Sequence, residues 1–263
     1  MTATANENLP LAGRHAVITG ANGGIGEAVC LDLAARGATL TLLGLDGAAL
    51  EVTRGKLPGS GHGIAIADIT DHATVVRVMA EAVAARGPIA ILINNAGVAK
   101  SAPLAKTDPA LWQMMIAVNL TGTFNCIHAV LPGMIEAGWG RIVNVASTAG
   151  LLGYAYVAPY CAAKHGVVGL TRALALEVAK QGITVNAVCP GYTDTPLLAG
   201  AVDNIVNKTG RSVEEAKATL AASNPQGRLI KPAEVANAVS WLCLPGAESI
   251  HGQAIAVAGG EVM

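Results

Sequence analysis

Seven short apolar runs, separated by helical stretches, most constrain the fold of this 263-residue chain. The runs are rich in leucine or β-branched residues and are flanked by Gly, Asn or Pro, which is typical of strands covered on both faces. They lie at 16–19, 39–43, 63–67, 89–94, 141–146, 184–189 and 254–257. Helical stretches lie between them at 24–35, 71–85, 108–137, 160–180 and 232–243. This alternation predicts an α/β fold with a doubly wound parallel sheet.

No linker, repeat or low-complexity segment divides the chain, so we expect one domain over 1–263. An insertion at about 191–226 follows a predicted strand and interrupts the alternation. Because ligands of open α/β sheets bind at the carboxyl ends of strands, we interpret it as a small substrate lid of one or two short helices. The alternative is an ordinary surface excursion.

The charge balance disfavours two classes of partner. The chain has 17 basic and 18 acidic residues, a net charge of −1, and no block of like charges. This argues against nucleic acid or an anionic membrane as the main partner. Only 13% of residues are charged and 52% are apolar. The helix at 160–180 is apolar on more than one face, so we expect a homotetramer of two-fold symmetry.

Cysteine and histidine usage indicates a cytoplasmic protein without a metal. The five cysteines are scattered and form no Cys-x-x-Cys pair, which is typical of reduced residues. The six histidines form no ligand-spaced cluster with carboxylates. The first nine residues lack a basic start followed by an apolar run, and the apolar stretches are interrupted by Gly, Pro or charge. We therefore expect no signal peptide and no membrane span.

A glycine-rich turn follows the first predicted strand and opens the first predicted helix. Residues 19–26 have the spacing Thr-Gly-x-x-x-Gly-x-Gly. Gly20 permits the turn, Gly24 allows close approach of a ligand, and Gly26 allows helix and strand to pack closely. Such a turn directs backbone N–H groups and the helix dipole at a diphosphate. The pattern predicts a dinucleotide site.

Tyr160 and Lys164 stand four residues apart, which places them on one face of a helix. A phenol has an unperturbed pKa of about 10, and a neighbouring cation lowers it. Ser147 precedes Tyr160 by thirteen residues and supplies a hydroxyl for a substrate oxygen. The three residues together indicate acid–base chemistry.

The set of motifs resembles the short-chain dehydrogenase/reductase family. The resemblance rests on the turn at 19–26 and on Asn94, Asn95, Ala96, Gly97, Asn119, Ser147, Tyr160, Lys164, Pro190 and Gly191. It extends over essentially the whole chain. It implies a Rossmann-type fold with a seven-stranded parallel sheet, helices on both faces, and hydride transfer with a nicotinamide cofactor and no metal. It also implies a homotetramer.

The resemblance implies a role for each residue of the catalytic set. Ser147 would hold the substrate oxygen, and Tyr160 would be the general base in oxidation and the general acid in reduction. Lys164 would lower the pKa of Tyr160 and bind the nicotinamide ribose. Asn119 would hold a water that links Lys164 to solvent, and its alternative role is to bend its helix.

The resemblance also implies the cofactor contacts. Asn95, Ala96 and Gly97 would end the fourth strand beside the adenosine ribose, and Asp68 would face the adenine ring. Turn formation after a strand is the alternative role of Asn94 and Asn95. The full predicted set is Gly20, Asn22, Gly24, Ile25, Gly26, Leu45, Asp46, Asp68, Ile69, Asn95, Ala96, Gly97, Tyr160, Lys164, Pro190, Gly191, Thr193 and Thr195.

The end of the second strand bears on the choice between NAD and NADP. NAD-dependent relatives place an acid at the position of Gly44, and NADP-dependent ones often place Arg at Leu45 or a basic residue near Asn22. This chain has neither. A 2′-phosphate needs compensating charge more than a hydroxyl does, and Asp46 would repel it if turned inward. We therefore predict NAD, with NADP as the alternative.

The predicted substrate pocket is mostly apolar. It would be formed by Ser147, Thr148, Leu152, Tyr154, Val157, Tyr192, Leu197 and Leu198. No Arg or Lys adjoins Ser147 to bind a free carboxylate, which disfavours small hydroxy acids. The segments 224–228 and 232–236 resemble 3-oxoacyl reductases and 3-hydroxyacyl-CoA dehydrogenases. We predict a 3-hydroxyacyl or 3-oxoacyl thioester as the substrate, with an apolar secondary alcohol or ketone, including cyclic ones, as the alternative.

A non-enzymatic alternative is a cofactor-binding regulatory protein that kept the fold and lost catalysis. The presence of Asn119, Ser147, Tyr160 and Lys164 argues against it, because a protein that only binds cofactor does not need this set.

Overall fold

A single parallel sheet of seven strands organises the protein, in the order β3-β2-β1-β4-β5-β6-β7. The computed structural model describes residues 9–263. Both ends of every predicted strand are confirmed to within one residue. The strands are β1 His15–Thr19, β2 Thr39–Gly44, β3 Gly63–Ile66, β4 Ile89–Asn94, β5 Gly140–Val145, β6 Ile183–Pro190 and β7 Ala254–Val257. The strand order reverses between β1 and β4, where open sheets of this kind bind their ligands.

Helices cover both faces of the sheet, as predicted. They are α1 Gly24–Ala35, α2 Gly47–Arg54, α3 His72–Arg86, α4 Pro109–Ile116, α5 Gly122–Ala137, α6 Ala158–Val178, α7 Pro196–Thr209, α8 Val213–Ala221 and α9 Pro232–Trp241. Buried residues of α1 and α9 pack against one face of the sheet. Those of α3, α5 and α6 pack against the other. The sheet is therefore buried between two helical layers.

The helix predicted at 108–137 contains a π-helical turn at Ala117–Thr121, between α4 and α5. Asn119 is fully buried within this turn. Single π-turns often occur at functional sites. As one helix, Pro109–Ala137 is 29 residues long and contains an 18-residue window with a mean hydropathy of 1.4, so by length and composition it could cross a membrane. The expectation that no apolar stretch reaches that length is wrong. Core helices pass the same test, and α5 packs on α3, β4 and β5.

The insertion at 191–226 forms two helices, α7 and α8, within the predicted range of one or two. They have a small apolar cluster of their own, in which Leu198, Val202 and Ala216 are buried. The insertion follows the carboxyl end of β6 directly. It therefore lies at the edge of the sheet where the glycine-rich turn and Ser147 are also found.

Candidate active site

The glycine-rich turn joins β1 to α1 and leaves the start of α1 without a side-chain cap. Gly20 has a φ of 62°, a left-handed conformation that favours glycine. A Cβ at Gly26 would overlap the carbonyl oxygen of Gly20, so any side chain there would block the close packing of α1 on the turn. A Cβ at Gly24 would lie 2.8 Å from Cγ2 of Thr195. The uncapped helix N-terminus and this narrow turn fit a bound diphosphate.

Thr19 and Asn95 fasten this turn to the end of β4. The Thr19 hydroxyl accepts hydrogen bonds from the backbone N–H groups of Asn95 and Ala96, both at 3.0 Å. The Asn95 side-chain amide donates to the carbonyl oxygens of Thr19 at 3.1 Å and Gly20 at 3.0 Å. The side chain of Asn95 thus holds the backbone in place, which matches the turn-forming alternative. Its predicted place beside the adenosine ribose stays a prediction.

The residues that follow β2 remove one of the arguments for NAD, namely the repulsion of a 2′-phosphate by Asp46. Asp46 accepts a hydrogen bond from the backbone N–H of Ala49 at 3.1 Å and caps α2. Its carboxylate is therefore turned toward the helix, and repulsion of a phosphate by an inward Asp46 has no support. Leu45 is 71% exposed. A Cβ at Gly44 would lie 3.4 Å from Oδ1 of Asn22, so a longer acid there would meet Asn22.

Other predicted cofactor contacts lie on the same edge of the sheet. Asp68 is exposed, and its carboxylate accepts hydrogen bonds from the backbone N–H and hydroxyl of Thr70. Ile69 is buried beneath it. The Thr193 hydroxyl donates to the carbonyl oxygen of Gly191 at 2.9 Å. Thr195 precedes α7 next to the glycine-rich turn, and its hydroxyl donates to the carbonyl oxygen of Thr193 at 3.3 Å.

Ser147, Tyr160 and Lys164 converge at the carboxyl end of β5. The Ser147 hydroxyl accepts a hydrogen bond from the backbone N–H of Ala149 at 3.1 Å and is close enough to the Tyr160 hydroxyl to influence its pKa. The Lys164 ammonium donates to the carbonyl oxygen of Val145, the last residue of β5, at 2.9 Å. Its nitrogen lies 5.7 Å from the centre of the Tyr160 ring. The helical spacing of Tyr160 and Lys164 therefore brings both side chains to the strand end that Ser147 follows.

The pKa values of this group differ from the expectation in one respect. Burial raises the pKa of Tyr160 to about 12, although the neighbouring Ser147 hydroxyl acts in the opposite direction. Burial lowers the pKa of Lys164 to about 8, because a low dielectric disfavours the ammonium. The expected lowering of the Tyr160 pKa by Lys164 is therefore wrong for these side chains alone, because loss of hydration is the largest influence on this phenol and the Lys164 charge is not among its influences.

Asn119 is engaged with the backbone on both sides of its amide. Its nitrogen donates to the carbonyl oxygens of Val98 and Met115, each at 3.0 Å. Its oxygen accepts from the backbone N–H of Val98 at 3.2 Å. A Cβ at Gly97 would lie 2.8 Å from this oxygen. Asn119 thus fixes the loop after β4 to the π-helical turn, which matches the helix-bending alternative, and its water-holding role stays a prediction.

Three of the predicted substrate residues, Thr148, Tyr154 and Tyr192, lie together and form what we call the polar wall. The Tyr154 hydroxyl lies 2.9 Å from the Thr148 hydroxyl, and the Tyr154 and Tyr192 rings meet edge to face at 6.4 Å. Leu152 and Leu197 are 41% and 50% exposed. Leu198 instead packs inside the lid cluster, and Val157 precedes α6. Their contacts with substrate stay predictions.

The polar wall contains one residue that the sequence reasoning missed. Oε1 of Glu261 accepts a hydrogen bond of 2.7 Å from the Tyr154 hydroxyl. The Tyr154 hydroxyl also lies next to the Thr148 hydroxyl, and the Glu261 carboxylate lies near Gly191. The only available signal was one acid after a Gly-Gly pair in an otherwise uncharged segment, 252–263.

Comparison with known proteins agrees with this arrangement. Residues 14–211 match the short chain dehydrogenase family. The chain belongs to this family. A putative ketoacyl reductase of Streptomyces coelicolor is 39% identical over 249 residues, 93% of this chain and 95% of the relative. The cis-4-hydroxycyclohexanecarboxylate dehydrogenase of Sinomonas cyclohexanicum is 42% identical over 94% of this chain and 96% of its own.

A solved structure gives the same result for the fold. A variant of actinorhodin polyketide ketoreductase with NADPH superposes with a TM-score of 0.91 at 38% identity, covering 94% of this chain and 97% of that one. This short-chain dehydrogenase is therefore an oxidoreductase that acts on hydroxyl or keto groups with a nicotinamide cofactor. The Rossmann-type fold class and the family resemblance are both confirmed.

Proposed function

We propose that this short-chain dehydrogenase interconverts a 3-hydroxyacyl and a 3-oxoacyl thioester. The observation that carries the proposal is the convergence of Ser147, Tyr160 and Lys164 at the carboxyl end of β5, next to the end of β6 from which α7 and α8 continue. The similarity to a ketoacyl reductase over 93% of the chain supports the acyl substrate.

In this proposal the protein supplies positioning and a proton. Ser147 and Tyr160 hold the substrate oxygen, and the hydroxyl of Tyr160 gives its proton to that oxygen in reduction or accepts one in oxidation. With a pKa near 12, Tyr160 is protonated at neutral pH, which suits reduction. The Lys164 ammonium binds the nicotinamide ribose. The bound nicotinamide cofactor supplies or accepts the hydride.

For the cofactor we propose NAD. The cations of α1 and α2 and of the residues just after them are already paired with carboxylates: Arg36 with Asp32, Arg54 with Glu51, and Lys56 with Glu27. A 2′-phosphate would have to compete for them. NADP is the alternative, and the NADPH bound to the actinorhodin relative favours it.

An alternative substrate class is an apolar cyclic alcohol or ketone. The 42% identity to a dehydrogenase of a hydroxycyclohexane acid favours this class. The buried cluster of Leu198, Val202 and Ala216 stabilises the lid for either substrate, and Leu197 on the same helix is exposed.

The test is a panel of acyl thioesters, acyclic ketones and cyclic ketones, each assayed with NADH and NADPH by the absorbance of the reduced cofactor. We expect the highest kcat/KM with a 3-oxoacyl thioester and NADH. A preference for cyclic ketones would support the alternative. No turnover with any carbonyl compound would refute the proposal.

We also propose that residues 1–263 act as one dinucleotide-binding domain in a cytoplasmic homotetramer, without nucleic-acid or membrane partners. Exposed apolar side chains on α4, α5 and α6, namely Trp112, Phe124 and Leu176, support subunit contacts. The cysteines are unpaired among residues 9–263, which fits a reducing compartment. Light scattering at micromolar concentration should give the tetramer mass, and a monomer mass would refute the assembly.

A further inference from the structure

The C-terminal segment after β7 is folded back onto the lid in a defined turn. Gly259 and Gly260 have φ values of 63° and 98°, which favour glycine. A Cβ at Gly259 would overlap the side chain of Asn224, which is buried where the lid ends. The backbone N–H of Glu261 donates to the carbonyl oxygen of Ala258 at 3.2 Å. This turn therefore determines where the Glu261 side chain is directed.

The turn places the Glu261 carboxylate between the ends of β5 and β6. Oε1 accepts the hydrogen bond from Tyr154, whose hydroxyl in turn lies next to the Thr148 hydroxyl. Oε2 would lie 2.9 Å from a Cβ built on Gly191, directly after β6. Thr148 adjoins Ser147, so the carboxylate lies along the wall that leads to the reacting hydroxyl groups.

The carboxylate also lacks a compensating charge. Within residues 9–263, no Lys, Arg or His forms an ion pair with Glu261. Oε2 has no hydrogen-bond donor in the same part of the chain, whereas Oε1 has Tyr154. The negative charge of Glu261 contributes to the raised pKa of Tyr154 and of Tyr192. The electric field of the Glu261 carboxylate therefore acts on both Tyr154 and Tyr192.

We infer that Glu261 is a specificity residue that excludes substrates with a free carboxylate and favours neutral acyl groups. The inference rests on the proposed function and deepens it. Two like charges in a partly desolvated pocket repel each other strongly. A thioester carries no such charge, and Oε2 remains available to accept a hydrogen bond from an N–H or O–H group of the acyl carrier.

The test compares two substrates that share one 3-oxo group, acetoacetate and its methyl ester, in the wild type and in Glu261→Gln. We expect the wild type to prefer the ester. Glu261→Gln removes the charge with little change of shape, so kcat/KM for acetoacetate should rise about tenfold relative to the ester. Glu261→Asp keeps the charge and should retain the wild-type preference. An unchanged ratio in Glu261→Gln would overturn the inference.

Two controls separate this result from other causes. Glu136→Gln removes an exposed charge near the end of α5, at the opposite edge of the sheet, and should leave the ratio as in the wild type. Absence of turnover with both compounds and with the acyl thioesters would contradict the proposed function instead. Calorimetric titration then decides the inference. It measures how acetoacetate and its methyl ester bind to the enzyme loaded with oxidised cofactor. Acetoacetate binding gained only in Glu261→Gln supports it, and equal or undetectable binding in both proteins refutes it.

Discussion

Two buried cations lie at opposite ends of β5, and their surroundings differ. Arg141, near the start of the strand, donates to the carbonyl oxygens of Gly140 at 3.0 Å and Gly182 at 3.3 Å. It also reaches Glu248 at 3.3 Å and lies over the Trp139 ring at 4.4 Å. At the other end, Lys164 donates to one carbonyl oxygen, that of Val145, within residues 9–263.

The difference lies in charge pairing, since Glu248 faces Arg141 although the Arg141 Nε has no hydrogen-bond partner within residues 9–263, and it indicates that one end of the strand serves stability and the other chemistry. Burial lowers the pKa of both residues, but Glu248 partly compensates for it at Arg141. Lys164 has no carboxylate within ion-pair distance among the described residues, and its pKa falls to about 8. A lysine has three donors, so two remain available to a ligand. An incompletely satisfied buried cation weakens the fold, and its retention is explained if a bound ribose completes its hydrogen bonds.

The largest effect should come from removing the acid–base group beside Lys164. Tyr160→Phe deletes the hydroxyl that transfers the proton, so we expect kcat to fall by about 10²–10⁴-fold. The dissociation constant of NADH, measured by fluorescence titration, should stay within about threefold because most cofactor contacts lie elsewhere. Tyr156→Phe, at a residue that is 65% exposed, is the matched control. A Tyr160→Phe enzyme within tenfold of wild type would disprove the assignment.

The next effect should come from Lys164 itself. Lys164→Ala removes the ammonium proposed to bind the ribose, and a hydrogen bond to a charged group contributes about 1.5–3 kcal/mol. We expect the NADH dissociation constant to rise about 10–100-fold and kcat to fall as well. Lys180→Ala, an exposed residue just beyond α6, should change neither quantity. An unchanged dissociation constant for Lys164→Ala in a fluorescence titration would rule out the ribose contact.

Substitution of Arg141 should lower the stability of the protein and leave its kcat unchanged. Arg141→Leu removes the guanidinium donor from two carbonyl oxygens, of which that of Gly182 keeps a longer bond of 3.4 Å from the backbone N–H of Gly140. We therefore expect the free energy of unfolding to fall by about 2–4 kcal/mol. The kcat of the folded enzyme should not change, because Arg141 lies at the far end of β5 from Ser147. Glu248→Gln should cost less than about 1 kcal/mol, since that side chain is 59% exposed. Urea unfolding at a fixed protein concentration measures both, and a large loss of kcat in folded Arg141→Leu would contradict the division.

The positions of the strands and of the catalytic set were predictable because their signals are local. Continuous apolar runs between turn residues determine strands of a buried sheet. The four-residue spacing of Tyr160 and Lys164 determines a shared helix face. Helix α2 escaped prediction because it has eight residues and a weakly apolar sequence, and its start depends on the cap formed by Asp46.

The parts that escaped prediction depend on contacts between distant segments. Glu261 reaches the polar wall because Gly259 packs on Asn224 and the chain turns back, which no local pattern encodes. The direction of the Tyr160 pKa depends on how far the phenol is removed from water, a property of the assembled site. The spacing of two residues in the sequence shows that their side chains can meet. The effect of burial and charge on their pKa values can be judged only from the folded structure.

The smallest effect should appear in the pH dependence of stability. Lys164→Met replaces a poorly satisfied ammonium by an apolar side chain, so at pH 7 we expect this variant to be more stable than wild type by about 1–3 kcal/mol. Between the folded pKa of about 8 and the ordinary value of 10.5, folded Lys164 has lost its proton while the unfolded residue keeps it. The unfolded state then binds more protons, so wild-type stability rises with pH and the gap narrows. Urea unfolding of both proteins at pH 7 and at about pH 9.5, at matched concentration, measures the gap. A gap that is constant or widens with pH would mean that Lys164 does not carry an energetic cost, and the contrast with Arg141 would fail.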